Sequence, residues 1–407
     1  MAEEALVTRM AKTTDGERSA AVSVAGTRRA DRLPPYLFAE VDELKRELRR
    51  SGRDIIDLGF GNPDIPSPEV AVEKLRESAL RPVNHRYSAS RGIAQLRCAI
   101  AERYEAVFGV TLDPERQVVA TIGAKEGLSH LLWAVVSPGD EVLVPTPTYP
   151  IHRVAPQLAG ATVVTAPADR GVDALAEAIE ISRPSVVIAS FPHNPSTTTT
   201  TARDLQRLVD LALENDFLIV HDFAYADIAF DGHRPPSILA AEGAMDCAVE
   251  LYSLTKSFSM AGWRVGFAAG QADVVQALTR LKSYLDYGTF QPIQIASIVA
   301  LREAADYPEQ VCEIYRHRRD VLCSGLALAG WEVTPPSGTM FVWAPIPAQL
   351  AELDSLQLAL RLAREAGVAV SPGAGFGPGG EGHVRFALVE NEQRIRQATR
   401  AIRQFLR

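Results

Sequence analysis

The stretch Glu250–Gly266, ELYSLTKSFSMAGWRVG, places a lysine and an arginine directly after a mostly apolar segment. Ala248 to Leu254 predicts a short buried strand, Lys256 follows it, and Arg264 lies eight residues further on. An ammonium group beside a buried strand is costly unless it is paired or used, and a desolvated lysine acts readily as an amine nucleophile. The flanking hydroxyls and the arginine suit a phosphate monoester. A surface lysine in a polar loop is the alternative.

Around this segment, short apolar runs alternate with helical patterns. The predicted strands are Val118–Ile122, Glu141–Val144, Thr162–Val164, Val186–Ser190, Leu218–His221, Ala248–Leu254 and Val265–Ala268. Continuously apolar runs indicate strands buried on both faces, and their alternation with helices indicates crossover connections. We therefore predict an α/β fold with a mostly parallel central sheet, covered by helices on both sides, and ligands at the carboxyl ends of the strands.

The two ends of the chain predict further structure outside this sheet. Near the N-terminus, Phe38, Val41, Leu44 and Leu48 recur at helical spacing, and a short strand is predicted at Asp54–Leu58. After Ala269 the pattern is helical, and the final part of the chain predicts a smaller α+β domain. Its predicted strands are Trp331–Thr334, Met340–Ala344, Val368–Ser371 and His383–Ala387.

Composition excludes several classes of protein. The chain has 407 residues, of which 47% are hydrophobic and 23% charged, as in ordinary globular proteins. A net charge of -8 argues against nucleic-acid or anionic-membrane surfaces, and no apolar run approaches the roughly 18 residues of a membrane span. The four scattered cysteines form neither a zinc motif nor a disulfide framework, so we expect no metal and a cytoplasmic location.

Three further loops at predicted strand ends carry polar residues. In TIGAKEGL, a helix N-terminus with Lys125 beside it would bind an anion, although an ordinary strand-to-helix turn is the alternative. FPHNP places Asn194 after a buried strand, and HDFAY contains Asp222 and Tyr225. A carboxylate at the end of a buried strand needs a cation or hydrogen-bond donors, unless it caps a helix. Together with Lys256, these groups are the set that a pyridoxal 5'-phosphate site requires.

Here a resemblance to a known family becomes plain. SLTKSFSMAGWRVG matches every fixed position of the lysine motif S-x-[ST]-K-x-x-x-[ML]-x-G-x-R-x-G of fold-type I, class I/II pyridoxal phosphate-dependent aminotransferases. HNP, HDxAY, GAKEG and HVRFAL agree with it, and the resemblance covers roughly residues 32–407. The loops GNPDIPSP, YSASRG, PTYPIH, HDFAYADI and SPGAGFG look most like bacterial glutamate-pyruvate (alanine) and LL-diaminopimelate aminotransferases, and closer to the alanine-forming branch.

The resemblance implies a role for each motif residue. Lys256 would form the Schiff base with the cofactor and carry the proton to and from substrate Cα, while Asp222 pairs with the pyridine nitrogen. Asn194 and Tyr225 would hydrogen-bond the ring oxygen, and Tyr149 would stack on the ring. The residues implied to hold the phosphate are Ala124, Lys125, Ser253 and Arg264.

Substrate binding and assembly follow from the same resemblance. Arg385, in HVRFAL, would grip the substrate α-carboxylate, with Asn194 and the backbone at Gly61 beside it; a surface arginine and a turn glycine are the alternatives. Tyr87 would reach across a homodimer interface to the partner's phosphate, with ordinary packing as the alternative. Arg91 could serve a distal carboxylate, although a solvated loop arginine is favoured.

The predicted architecture is a three-layer fold in which an N-terminal segment joins the C-terminal small domain. The predicted divisions are a flexible tail at 1–31, an N-terminal segment at 32–65, a large domain at 66–295 and a small domain at 296–407. The predicted function is ping-pong transfer of an amino group from an L-amino acid, glutamate or alanine first, to a 2-oxo acid.

Two other functions remain open. One is a pyridoxal phosphate-dependent elimination, replacement or carbon–carbon bond formation on the same scaffold. The other is a ligand-sensing regulator, which would need a DNA-binding module longer than the residues that precede the fold. The run HNPSTTTT, where the family usually continues Asn-Pro-Thr-Gly, leaves the substrate pair open.

Overall fold

Helices and strands alternate along residues 33–407, the part of the chain that the computed structural model describes; the predicted tail at 1–31 lies outside it. The strands are β1 Ile56–Asp57, β2 Val118–Thr121, β3 Glu141–Thr146, β4 Thr162–Pro167, β5 Val186–Ala189, β6 Leu218–Asp222, β7 Ala248–Ser253, β8 Gly266–Gly270, β9 Phe341–Pro345, β10 Val368–Ala369, β11 Ser371–Pro372 and β12 His383–Ala387.

The helices begin at Phe38 and follow the predicted amphipathic patterns. They are α1 Phe38–Arg50, α2 Glu69–Ala79, α3 Ala94–Phe108, α4 Ala124–Val135, α5 Ile151–Ala159, α6 Gly171–Ser182, α7 Ala202–Asn215, α8 Ala244–Cys247, α9 Leu254–Ser257, α10 Ala272–Leu285, α11 Gln291–Glu303, α12 Tyr307–Leu328, α13 Ser355–Arg361 and α14 Glu392–Phe405. None of these helices is both long and apolar enough to cross a membrane.

Seven strands form the central sheet in the order β2-β8-β7-β6-β5-β3-β4. Only β8 runs antiparallel to its neighbours within this sheet, so the prediction of a mostly parallel sheet is confirmed. Successive side chains of β5 enter different cores: Val186 and Ile188 pack on one face, and Val187 and Ala189 on the other. Helices therefore cover both faces, as the continuously apolar strands predict.

Residues from both ends of the chain build a second core. Here β1 pairs with β10, and β11, β12 and β9 form an antiparallel sheet. Val41 and Ile55 from the N-terminal segment pack with Trp331 and Phe386 from the C-terminal part. The predicted strand Trp331–Thr334 is wrong, because only the Trp331 ring is buried there and its indole N–H donates to the Pro345 carbonyl at 2.7 Å.

Residues Tyr36–Arg407 form one compact unit, so the predicted domains are subdivisions of this unit. The boundary drawn at 295/296 falls inside α11, whose Ala300 and Leu301 belong to the core of the large sheet. Ile228, from the predicted large domain, packs in the second core. The exact division therefore stays a prediction.

Candidate active site

A cavity of about 460 Å³ opens where the carboxyl ends of β5, β6 and β7 meet the start of α4 and the second core. Eleven of the twelve site residues predicted from the sequence line it, namely Gly61, Ala124, Lys125, Tyr149, Asn194, Asp222, Tyr225, Ser253, Lys256, Arg264 and Arg385. The carboxyl ends of parallel strands share one edge of a sheet, and this brings together motifs that are far apart in sequence.

Lys256 lies in α9, directly after β7, and its ammonium donates to the Gly61 carbonyl at 2.8 Å. Enclosure by protein, together with the positive charges of Arg385 and Arg264, lowers the pKa of Lys256 to about 7. No carboxylate within the described part of the chain pairs with it. An amine in this setting is substantially unprotonated at neutral pH and can act as a nucleophile.

Asp222 ends β6, and the structure adds a partner that sequence reasoning missed. Its Oδ2 lies 2.8 Å from Nε2 of His152, whose Nδ1 lies 2.7 Å from the Thr148 hydroxyl. Its Oδ1 accepts from the Ala224 N–H at 3.3 Å in a turn, so the predicted alternative of a helix cap is wrong. The sequence could show only the Thr148–His152 pair, whose members are four residues apart around the start of α5, because the bond to Asp222 spans 70 positions.

Arg385, on β12, is only 7% exposed, which rules out the surface-arginine alternative. Its guanidinium donates to the Asn194 side chain at 2.7 Å and the Gly59 carbonyl at 3.1 Å, and lies between the rings of Phe341 and Phe376. Burial lowers its pKa to about 10, and its buried Nε has no hydrogen-bond partner within residues 33–407. This fork of donors suits an anion, and no carboxylate of the described residues pairs with it.

The start of α4 gathers donors for a second anion. Gly123 has φ +77°, and a Cβ there would collide with the guanidinium of Arg264. Lys125 lies 5.1 Å from the ring centroid of Tyr149, and Ser253 accepts from the Thr255 N–H at 3.2 Å. Free N–H groups at a helix N-terminus with two cations beside them attract a phosphate.

Two polar side chains face the same cavity between these anion sites. Asn194 and Tyr225 are both buried, at 5% and 6% exposure. Burial raises the pKa of Tyr225 far above its usual range, so its phenol remains a hydrogen-bond donor at any physiological pH.

Tyr87 and Arg91 lie outside the cavity. Tyr87 is 84% exposed, so its ring is not buried in the core of its own chain, and its role across an interface stays a prediction. Arg91 does not line the cavity. It lies 3.2 Å from a carboxylate oxygen of Glu115 with 28% of its side chain exposed, so it is a paired loop arginine rather than the freely solvated one that the sequence favoured.

Comparison with known proteins identifies the class. Residues 53–402 match the family of class I and II aminotransferases, and the chain belongs to this family. It is a pyridoxal phosphate-dependent enzyme that transfers amino groups, as its sequence motifs predict.

Particular relatives agree with this assignment. The chain is 50% identical over 384 residues to the glutamate-pyruvate aminotransferase AlaC of Escherichia coli (strain K12), with 93% of each chain covered. It is 41% identical to the LL-diaminopimelate aminotransferase of Desulforudis audaxviator (strain MP104C), over 94% of this chain and 98% of that one. A solved aspartate aminotransferase double mutant from Thermus thermophilus superimposes with a TM-score of 0.86 at 29% identity, over 96% of this chain and 100% of that one.

The residues of the cavity fit the cofactor by their own chemistry. Lys256 is an amine with no carboxylate partner among residues 33–407, Gly123 keeps side chains out of the turn before α4, and Asp222 lines the cavity with its carboxylate. These are the groups needed for an aldehyde, a phosphate and a protonated pyridine nitrogen.

Proposed function

We propose that this aminotransferase moves the amino group between L-glutamate or L-alanine and a 2-oxo acid by a ping-pong mechanism, with glutamate and pyruvate as the first pair. The 50% identity to a glutamate-pyruvate aminotransferase supports this pair. The observation that carries the chemistry is the Lys256 amine in the cavity, whose pKa is lowered to about 7.

Lys256 serves both as nucleophile and as proton carrier. Bound pyridoxal phosphate supplies an electron-withdrawing ring that stabilises negative charge at substrate Cα. The neutral amine of Lys256 would accept the proton from substrate Cα and deliver it to the C4' carbon of the cofactor, because a group with a pKa of about 7 can both gain and lose a proton at neutral pH.

Asp222 keeps the pyridine nitrogen protonated. Its hydrogen bond from His152, which the Thr148 hydroxyl orients in turn, fixes the carboxylate at the end of β6. Asn194 and Tyr225 would hydrogen-bond the ring oxygen of the bound cofactor, and Tyr149 would pack against its ring. A carboxylate held this way does not have to reorganise as charge develops.

One anion site is for the cofactor phosphate, and the other is for the α-carboxylate of the substrate. The backbone at Ala124 with Lys125, Ser253 and Arg264 binds the phosphate, and Arg385 with Asn194 binds the substrate α-carboxylate. Gly61 lets the loop backbone approach that carboxylate, since a Cβ there would lie 2.7 Å from the Phe341 ring. With the phosphate and the α-carboxylate both fixed, substrate Cα would be held in the same cavity as the Lys256 amine.

We further propose a homodimer with shared sites, in the cytoplasm. The exposed rings of Tyr87 and Tyr287 stack on each other, and Tyr284 and Phe290, close to Tyr287 in sequence, are exposed too. These exposed aromatic residues support a second copy as partner, because monomers seldom expose large apolar patches. Across this interface Tyr87 reaches the phosphate in the partner's site. The four cysteines, all unpaired, fit a reducing cytosol.

The test is a screen of half-reactions by absorbance. Each amino acid alone, glutamate, alanine and LL-diaminopimelate among them, is added to the holoenzyme, and an aminotransferase converts stoichiometrically to the pyridoxamine form. Conversion by glutamate and by alanine supports the proposal, and conversion by diaminopimelate alone replaces the proposed donor. Release of ammonia without conversion would identify an elimination reaction instead.

Site sharing is tested by mixing two defective variants, Lys256→Ala and Tyr87→Ala. In a shared-site hybrid, one site carries both defects and the other carries neither, so activity returns on mixing. A mixture that stays as inactive as its components contradicts the shared site.

A further inference from the structure

Two exposed tyrosines stack on each other outside the cavity. Tyr87 lies in the loop 85–92 and Tyr287 in the loop 286–290, with ring centroids 4.5 Å apart and planes tilted by 34°. Tyr87 is 84% exposed and Tyr287 59%, so neither ring is held by a core. Within residues 33–407, Tyr287 is the aromatic partner of Tyr87.

Hydrogen bonds of the Asp286 side chain fix the backbone on both sides of Tyr287. Lys282 is fully buried and donates to Asp286 at 3.0 Å, and the same Asp286 side chain accepts from the Gly288 N–H at 2.6 Å. Tyr287 therefore projects from an anchored turn although its ring is exposed.

Further hydrogen bonds join this turn to the loop of Tyr87. The Ser90 hydroxyl donates to the Asp286 carbonyl at 2.8 Å. The buried Gln294 amide donates both to the Ser88 hydroxyl at 2.9 Å and to the Thr289 carbonyl at 2.6 Å. These hydrogen bonds make the two loops one unit, and the exposed Tyr87 side chain is held against this unit by its contact with the Tyr287 ring.

We propose that Tyr287 is a positioning residue for the aminotransferase reaction, whose ring holds Tyr87 in the rotamer that reaches the phosphate of the partner subunit. This inference rests on the proposed shared site. An exposed tyrosine without a neighbouring ring samples several rotamers, and fixing one of them on binding costs free energy. A ring already stacked has lost that freedom before the cofactor arrives.

The first test compares cofactor affinity in matched variants. In Tyr287→Ala the dissociation constant for pyridoxal phosphate rises several-fold, up to about tenfold, the range expected for an aromatic pair. Tyr287→Phe keeps the ring and restores wild-type affinity, while kcat at saturating cofactor stays close to wild type in both. The matched control is Tyr284→Ala, which removes an 83% exposed ring close in sequence that is not the stacking partner of Tyr87, and all variants are compared at concentrations where they are dimeric. Equal weakening in Tyr284→Ala, or no rescue by Tyr287→Phe, overturns the proposal.

The second test determines whether Tyr287→Ala weakens cofactor binding in its own subunit or in the partner subunit. In a hybrid of Tyr287→Ala with Lys256→Ala, the one site with an intact Lys256 receives an intact Tyr87 and Tyr287 from the other chain. That site therefore binds cofactor with wild-type affinity. Weakened binding in this hybrid means that Tyr287 acts within its own subunit and overturns the inference.

The Tyr87→Ala and Lys256→Ala hybrid separates this failure from failure of the proposed function. If that hybrid regains activity while Tyr287→Ala binds cofactor normally, sites are shared but Tyr287 does not position Tyr87. If that hybrid stays inactive, the shared site itself fails.

Discussion

Cations in the interior of this protein differ in what they pair with. Lys282 is fully buried and contacts two carboxylates, Glu126 at 2.8 Å and Asp286 at 3.0 Å. Lys256 and Arg385, at the cavity, instead donate to neutral oxygens of Gly61, Gly59 and Asn194. The carboxylates beside Lys282 neutralise its charge inside the protein. The neutral partners of Lys256 and Arg385 leave these two groups available to a ligand.

The neighbours, and not depth alone, decide which role a cation has. Burial penalises a charged group, and a carboxylate neighbour repays that penalty. Without one, the pKa of Lys256 falls to about 7 and that of Arg385 to about 10. Burial without a carboxylate partner makes Lys256 a nucleophile. Burial between Glu126 and Asp286 instead lets Lys282 link α4 to the turn after α10.

The largest expected effect is that of Lys256→Ala on turnover. Removing the amine removes both the nucleophile and the proton carrier, so kcat falls by at least about 10⁴-fold. The measurement is steady-state transamination together with the absorbance of the bound cofactor. Lys74→Ala, at an exposed lysine paired with Glu77, is the control and keeps full activity. Turnover that survives in Lys256→Ala would contradict the enzymatic role of this lysine.

Lys282→Met acts on stability where Lys256→Ala acts on turnover. It leaves Glu126 and Asp286 without their shared cation, and breaking a buried pair in this way costs about 3–5 kcal/mol of the free energy of unfolding. Urea unfolding measures the loss, and Arg302→Met, at the exposed pair with Glu102, should lose less than about 1 kcal/mol.

Adding Glu126→Gln to Lys282→Met should recover part of the lost stability, because one unpaired charge is removed. The kcat of folded, cofactor-saturated Lys282→Met stays close to wild type. An unchanged free energy of unfolding would mean that Lys282 is not the tie we describe.

Arg385→Met should affect substrate rather than cofactor. The apolar side chain cannot bind an α-carboxylate, and kcat/KM for amino acids falls by about 10²–10³-fold. Arg385→Lys recovers little, since an ammonium lacks the planar fork. Affinity for pyridoxal phosphate stays unchanged, and a primary amine without a carboxylate is handled alike by wild type and variant. A matching loss with that amine would show that Arg385 supports the cavity rather than the carboxylate.

The sequence predicted the parts of the site that short motifs encode. Lys256 and Arg264 lie in one segment, and Asp222, Asn194 and Lys125 each follow a strongly apolar run, so strand-end logic brings them together. The central sheet follows from the same runs. These features are readable because each depends on residues close together in the chain.

What the sequence did not predict depends on contacts between distant segments. The bond between His152 and Asp222 spans 70 positions, and that between Lys282 and Glu126 spans 156. From the sequence alone, Lys282 is indistinguishable from a surface lysine on an amphipathic helix, because the spacing does not show that it contacts Glu126. The wrong strand at Trp331–Thr334 arose likewise, since one buried ring imitates strand alternation where no partner strand is present among the described residues.

A further expected effect concerns how stability depends on pH in the cofactor-free protein. Folding lowers the pKa of Lys256 from its ordinary value of 10.5 to about 7. Between these values the unfolded chain binds a proton that the folded chain does not, so stability rises with pH by up to about 1.4 kcal/mol per unit. Below pH 7 both states are protonated, and the penalty for the enclosed charge is fully present.

Lys256→Met lacks this contribution, and the other titrating groups cancel in the comparison. Urea unfolding of both cofactor-free proteins from about pH 6 to about pH 9 should give curves that converge as pH rises, with the variant more stable at the acid end. Parallel curves would mean that Lys256 keeps its proton in the folded protein at neutral pH. In that case the lack of a carboxylate neighbour among the described residues would not be enough to make Lys256 a nucleophile, and the contrast drawn with Lys282 would fail.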